Sequence, residues 1–284
     1  MKRFGLCLLI SLCVANACLA AYPMRVKDAR GKEVLIKHKP MRIVSIAPSN
    51  TEILYSLGLG DRIVGVTRYC DYPAEAKKKP KVGDMNVNAE AVVALKPDLV
   101  LAHGKLNSAA IPRLEKLGLT VFAIDPKTLG EVARDIRTVG KITAKPKTAD
   151  KVAARIESTI KSVKASRARK SAVKVLVVVQ SNPLWVAGPK TFVNEMLTIA
   201  HAKNIAADAR PGFVPFSREA VISRNPDVII TGLSSDTSFF AKSPEWRTTN
   251  AVKNKRIYVI KSDLLFRAGP RLAEGLKEVA KKLD

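Results

Sequence analysis

Two stretches of this chain, 129 residues apart, spell nearly the same unit: EAVVALKPDLVL from Glu90 and EAVISRNPDVII from Glu219. Each reads as a short helix that opens on a glutamate, stops before a proline and feeds an apolar strand. A unit that occurs once in each half predicts two similar α/β lobes, an architecture suited to holding something between them.

The N-terminal residues are set aside first. Lys2 and Arg3 precede an apolar run from Phe4 to Val14 and the small-residue stretch ANACLAA, the pattern of a secretory signal peptide. The run is too short to span a bilayer, and Cys18-Leu19-Ala20 before Ala21 reads as the expected signal peptidase site. The alternative cut, before an acylated Cys18 as in a lipoprotein, meets Ala15-Asn16-Ala17, a poor approach to such a cysteine. The expected boundaries are signal segment 1–20, first lobe 21–145, connecting helix 146–171 and second lobe 172–284. Cys7, Cys13 and Cys18 fall in the leader, so Cys70 has no partner for an internal disulfide and no companion ligands for a metal.

Charge is the outlier of the composition, +24 for the chain and +22 once Lys2 and Arg3 leave with the leader. Such an excess attracts nucleic acid, anionic lipid or acidic surfaces. The basic residues are spread through helices and turns, however, with neither zinc-finger spacing nor an aromatic RNA-binding motif, so a solvated basic surface is expected.

Between the repeated units, strand and helix signals alternate. VKDARGKEVLI from Val26 predicts a hairpin turning at Ala29 to Lys32. RIVSIA predicts a buried strand leading to a helix capped by Asn50 or Thr51, and RIVGVT, TVFAID, VKVLVVVQ and RIYVIKSD predict further strands. This rhythm predicts mostly parallel sheets with helices on their faces. Thr148 to Lys170 breaks it with one long helical pattern whose apolar stripe is Val152, Ile156, Ile160 and Val163. Lying between two lobes, it reads as a connector along both; a helix packed on the first lobe alone is the alternative.

Catalytic signatures are missing: neither phosphate loop, dinucleotide fingerprint, HExxH nor nucleophile elbow occurs. Of three histidines, His38 and His201 lie in polar or capping positions. His103 follows PDLVLA, where a parallel strand ends and such sheets bind ligands.

RIVSIAPSNTEILYSLGLGDRIVGVTRYCDYP from Arg42 resembles the opening of the helical-backbone substrate-binding proteins of bacterial ABC importers, in particular their cobalamin-binding branch. The similarity continues through NAEAVVALKPDLVLA, the long connector, FSREAVISRNPDVIITG and SDLLFRAGPRL. The resemblance implies an exported, periplasmic, non-enzymatic monomer: two Rossmann-like lobes on one rigid helix, with a corrinoid held between the C-terminal edges of the sheets. Haem or a ferric siderophore is the alternative cargo. It implies an ABC permease dimer with ATPase subunits as partner, and neither cofactor nor nucleic acid. By motif, Glu90 and Glu219 match the glutamates that dock into permease arginines. A carboxylate in a first helical turn is also favoured by the helix dipole alone, by roughly 0.3–1 kcal/mol.

Ligand contacts carry over to Tyr69, Trp185 and Phe213 as rings that pack on a flat macrocycle, and to Asp263 and Arg267 as polar cleft positions. Core packing is the other reading of Trp185 and Phe213. The chain departs from the pattern where Asp84, in KVGDMNVN, and His103 stand in place of tryptophans. The protein itself offers no metal site, but a neutral imidazole at His103 could serve as axial ligand to a bound metal chelate. An exported hydrolase and a basic polymer-binding protein are the remaining alternatives, and neither explains the repeated unit.

Overall fold

The computed structural model describes residues 22–284; the signal-peptide reading lies outside them. A hairpin of β1 (Met24–Lys27) and β2 (Glu33–Ile36) precedes β3 (Ile43–Ser45), α1 (Pro48–Ser56) and β4 (Ile63–Val66). Then follow α2 (Ala89–Ala94), β5 (Leu99–His103), α3 (Ala110–Lys116), β6 (Val121–Ile124) and α4 (Leu129–Ile142). The four strands β4-β3-β5-β6 form one parallel sheet. The first helix begins earlier than the expected cap at Asn50 or Thr51. Ala47 occupies the N-cap position and Pro48 the first turn, where the missing N–H is not needed. Asn50, Thr51 and Glu52 are therefore buried within the helix.

The long helix α5 (Pro146–Arg167) leads to β7 (Val173–Gln180), β8 (Trp185–Ala187), α6 (Phe192–Ile199), β9 (Ala202–Asn204) and β10 (Phe213–Pro215). After them come α7 (Arg218–Arg224), β11 (Val228–Thr231), α8 (Ser234–Lys242), α9 (Asn250–Lys253), β12 (Ile257–Val259), α10 (Ser262–Phe266) and α11 (Leu272–Lys282). The second sheet runs β10-β8-β7-β11-β12, with β9 also on β7. It repeats the first as four parallel strands in the same order, β9-β7-β11-β12, and adds a ribbon in which β8 runs antiparallel to β7 and β10 antiparallel to β8. The counterpart expected from the repeat is thus present, with the β8-β10 ribbon added to it. Eight-residue β7 extends far enough to accept a returning strand, which three-residue β3 does not.

The repeat has a structural reason at each of its shared letters. Asn88 and Ser217, two residues before the glutamates, are the N-caps and accept the N–H of Ala91 and Ala220, satisfying one orphan donor per helix. Val92 and Val221 face the core. Lys96 and Asn225 adopt left-handed backbone, φ 46° and 47°, as each helix ends. Asp98 then accepts the N–H groups of Met41 and Arg42, and Asp227 that of Lys174. Each Pro-Asp therefore ties the start of its strand to the neighbouring one.

Helix α5 packs on α4 of the first lobe and on α11 and α6 of the second. Its predicted stripe faces inward, with Ile156 and Val163 fully buried and Val152 and Ile160 packed at the core margin. Asp71, in the loop after β4, and Arg267, after β12, meet across the two halves.

Candidate ligand cleft

Residues beyond the C-terminal ends of the parallel strands carry an unusual share of exposed apolar side chains. Tyr69 (53% exposed) and Tyr72 follow β4, Leu106 follows β5 and Leu233 follows β11. Trp185 (37%) stands where β8 meets the end of β7, and Phe213 (43%) is on the adjacent β10. Large rings left in water at a sheet edge that binds ligands in such folds are candidate contacts.

The first-lobe loop is anchored by Cys70. Its thiol is buried between the hydroxyls of Thr51 and Thr67, 3.1 and 3.2 Å away. Fixing Cys70 presents its neighbours Tyr69 and Asp71 outward, so the lone cysteine has a packing role. Asp84 accepts the N–H of Asn86 at 2.8 Å and so closes the turn after Gly83. That glycine has φ 108°, and a Cβ on it would lie 2.4 Å from the Asn86 carbonyl.

His103 is the last residue of β5, with its side chain only 12% exposed. Its Nδ1 lies 3.4 Å from Asp125 Oδ1, and its backbone N–H is held by Asn107 at 2.8 Å. Burial pushes its pKa down, and Asp125 opposes the shift only in part; the imidazole is neutral at pH 7.

In the second lobe the register pairs Trp185 with Pro215 and Ala187 with Phe213, which puts both rings on one face of the ribbon. Phe213 meets Phe266 edge-on, with centroids 5.4 Å apart at 87°. The next residue is Arg267, and here the lobes touch. Arg267 reaches Asp71 at 2.6 Å and Glu52 at 3.3 Å in the first lobe, and Asp263 at 2.9 Å in its own. Arg271 donates two bonds to Glu52, 2.6 and 2.9 Å, contacts Asp263 at 3.3 Å and stacks 3.8 Å over the Tyr72 ring. Although burial disfavours its charge, the Arg267 bond holds the Asp71 carboxyl below the usual carboxylate range. Glu52, Asp71, Tyr72 and Arg271 escaped sequence reading. The one signal was the pair of arginines four residues apart, Arg267 and Arg271, with Asp263 just before them.

Behind the cluster a cavity of about 590 Å³ opens toward α5, lined by Glu52, Tyr55, Tyr72, Val152, Arg155 and Arg271 among others. Tyr69, Trp185 and Phe213 do not line it and are exposed.

Glu90 and Glu219 are exposed in the first turns of α2 and α7. These helices run back along β5 and β11, so their N-termini share the side of the rings. Neither glutamate forms an ion pair among the described residues. Glu219 accepts the Ser217 hydroxyl at 2.6 Å, and that bond lowers its pKa. Among the described residues no cluster of histidine, cysteine or carboxylate could hold a metal, and no helix is long and apolar enough to cross a membrane.

Residues 43–264 match the model of a family described as periplasmic binding protein. An ABC transporter substrate-binding lipoprotein of Bacillus subtilis, itself uncharacterized, is 43% identical over 92% of this chain and 86% of its own. A possible iron-binding periplasmic solute-binding protein from Staphylococcus epidermidis superposes with TM-score 0.76 and 35% identity, over 87% of this chain and 99% of that one. The periplasmic vitamin B12-binding protein of Vibrio cholerae gives TM-score 0.78 and 28% identity, over 86% and 96%.

Proposed function

The chain belongs to the periplasmic binding protein family, and from that premise we propose that it captures a cobalamin-type corrinoid between its lobes and delivers it to an ABC permease. Members of the family are substrate-binding transport proteins, so binding without turnover is the expected activity. The observation that carries the reading is the set of exposed rings, Tyr69 on one lobe and Trp185 and Phe213 on the other, at the C-terminal edges of both sheets. Flat rings supply contact area to a macrocycle with few polar demands. His103 ligates a chelated metal through Nε2 in the tautomer that carries its proton on Nδ1, which lies 3.4 Å from Asp125 and 3.5 Å from the Leu106 backbone nitrogen.

Calorimetry of the mature protein is the direct test. One-to-one binding of cyanocobalamin is expected, weakened about tenfold, or ~1.4 kcal/mol, in Trp185→Ala or Phe213→Ala. Heat with haemin or a ferric siderophore and none with corrinoids would replace the cargo and keep the transport class. That second reading is favoured by the iron-binding description of the Staphylococcus epidermidis structure. Visible absorption titration with aquocobalamin tests His103: identical spectra for wild type and His103→Ala would remove the axial role.

Glu90 and Glu219 are the proposed docking residues. Exposed carboxylates with no internal ion pair, one per lobe, suit bidentate pairing with arginines of a permease. Glu90→Arg combined with Glu219→Arg is expected to abolish uptake in cells while leaving corrinoid affinity within twofold; a collapse of affinity would refute the docking role. For localisation we keep export with cleavage near Ala21. Acylation at Cys18 is the rival, favoured by the lipoprotein name of the Bacillus subtilis relative. Intact mass of the exported protein decides between them.

A further inference from the structure

We propose that the ion cluster between the lobes selects the charge of the cargo, admitting neutral or cationic chelates and excluding those with free carboxylates. The inference rests on the chelate-binding reading above and adds the property that sorts chelates. Its core is an imbalance. Two arginines, Arg267 and Arg271, meet three carboxylates, Glu52, Asp71 and Asp263, each within 3.3 Å of a guanidinium nitrogen.

A clasp that only joined the lobes needs no more than buried Glu52 between the two arginines. That arrangement would leave one net positive charge facing the cleft, ready for a carboxylate of the cargo. Asp71 and Asp263, with side chains 46% and 34% exposed, instead pair with the arginines as well and bring the cluster to one net negative charge. Arg267 follows directly on Phe266, the ring packed against Phe213, so the cluster adjoins the aromatic rim. Neither Arg267, Asp71 nor Asp263 lines the rear cavity toward α5, whereas Glu52 and Arg271 do.

An incoming carboxylate must displace Asp71 from Arg267 or lie unscreened beside Asp71 and Asp263. Both outcomes are unfavourable for a partly desolvated anion. The chain's overall charge of +24 would draw anions toward the cleft. Discrimination therefore has to act at short range, within a Debye length of about 8 Å at physiological salt.

Two ligand pairs differing chiefly in charge test the idea on the mature protein. One is haemin against its dimethyl ester; the other is a cobalamin monocarboxylic acid against cyanocobalamin. Wild type is expected to bind the less anionic member of a pair at least tenfold tighter. Asp71→Asn, at a part-exposed position that spares the buried core, should cut that ratio to about threefold. Glu52→Gln, checked for folding by thermal melting, should cut it further. Equal affinities within a pair for wild type, or a ratio unmoved by Asp71→Asn, would overturn the selectivity role and leave chelate binding standing. Absence of binding to all four ligands would overturn both readings together.

Discussion

Asp135 shows how one side chain can hold a chain below its attainable stability. It lies on α4, and burial pushes its carboxyl from 3.8 up to about 6; Arg134 opposes the shift, while Glu131 and Asp125 add to it. Between those two values the native state binds the proton more tightly than the unfolded chain, so stability falls as pH rises through that window. Above about pH 6 the whole penalty is present. Asp135→Asn is expected to stabilise by about 1–3 kcal/mol at pH 7.5 and to change little at pH 3.5, where both states are protonated. Thermal melts at the two pH values check this; equal gains at both would show that packing, and not ionisation, was relieved. The sequence could not signal Asp135, because burial sets its shift first and burial on α4 is decided by what packs around the helix. The repeated Pro-Asp was legible as a pattern, yet its reason, a carboxylate clamping the adjacent strand, depends on partners 53 to 57 residues away.

Among the elements, α4 and α5 meet closely where Gly140 faces Ala149. A Cβ on Gly140 would stand 2.2 Å from the Ala149 Cβ and 3.1 Å from the Lys145 carbonyl oxygen. Gly140→Ala gains about 1 kcal/mol of helix propensity and loses about 1–3 kcal/mol to overpacking. The net expectation is a destabilisation of about 1–2 kcal/mol, read from the urea midpoint, and partial recovery on adding Ala149→Gly. An unchanged or higher midpoint would mean that the helices part without cost. This close crossing also marks a limit of reading by period. The stripe from Val152 to Val163 located the helix, but Ala149, Ala153, Thr159 and Arg167 are equally buried. Small or charged residues carry no apolar signal even when a neighbouring backbone demands them. Strands β8 and β10 escaped for another reason: Pro183, Gly188, Gly212 and Pro215 in and around them read as turn. The Glu52 cluster lay further out of reach, since its arginines are 215 and 219 residues away.

At the scale of the molecule the two sheets have separate outer cores, one around Val44, Val92 and Val100, the other around Leu176, Ile229 and Trp246. Two such cores would allow the lobes to unfold one at a time. The inner core argues otherwise. It runs without a break from Leu54 and Leu101 of the first lobe, through Ala149, Ala153 and Ile156 of α5, to Val177, Leu197 and Leu276 of the second. Exposing the inner face of either lobe uncovers α5 and with it the other lobe, and the Glu52 contacts to Arg267 and Arg271 reinforce the coupling. One cooperative transition is therefore expected. The sequence supplies the probes, because both tryptophans, Trp185 and Trp246, belong to the second lobe and Cys70 to the first. In the chain starting at Ala21, tryptophan fluorescence and the reactivity of the Cys70 thiol, followed across urea, should share one midpoint. Two separated midpoints would show that the outer cores dominate and that α5 joins the lobes without coupling them. Ile156→Ala, which hollows the shared core at its centre, is then the discriminating variant. Under coupling it lowers both midpoints together, for a stability loss of about 2–5 kcal/mol, whereas independent lobes would shift only the one that packs against Ile156.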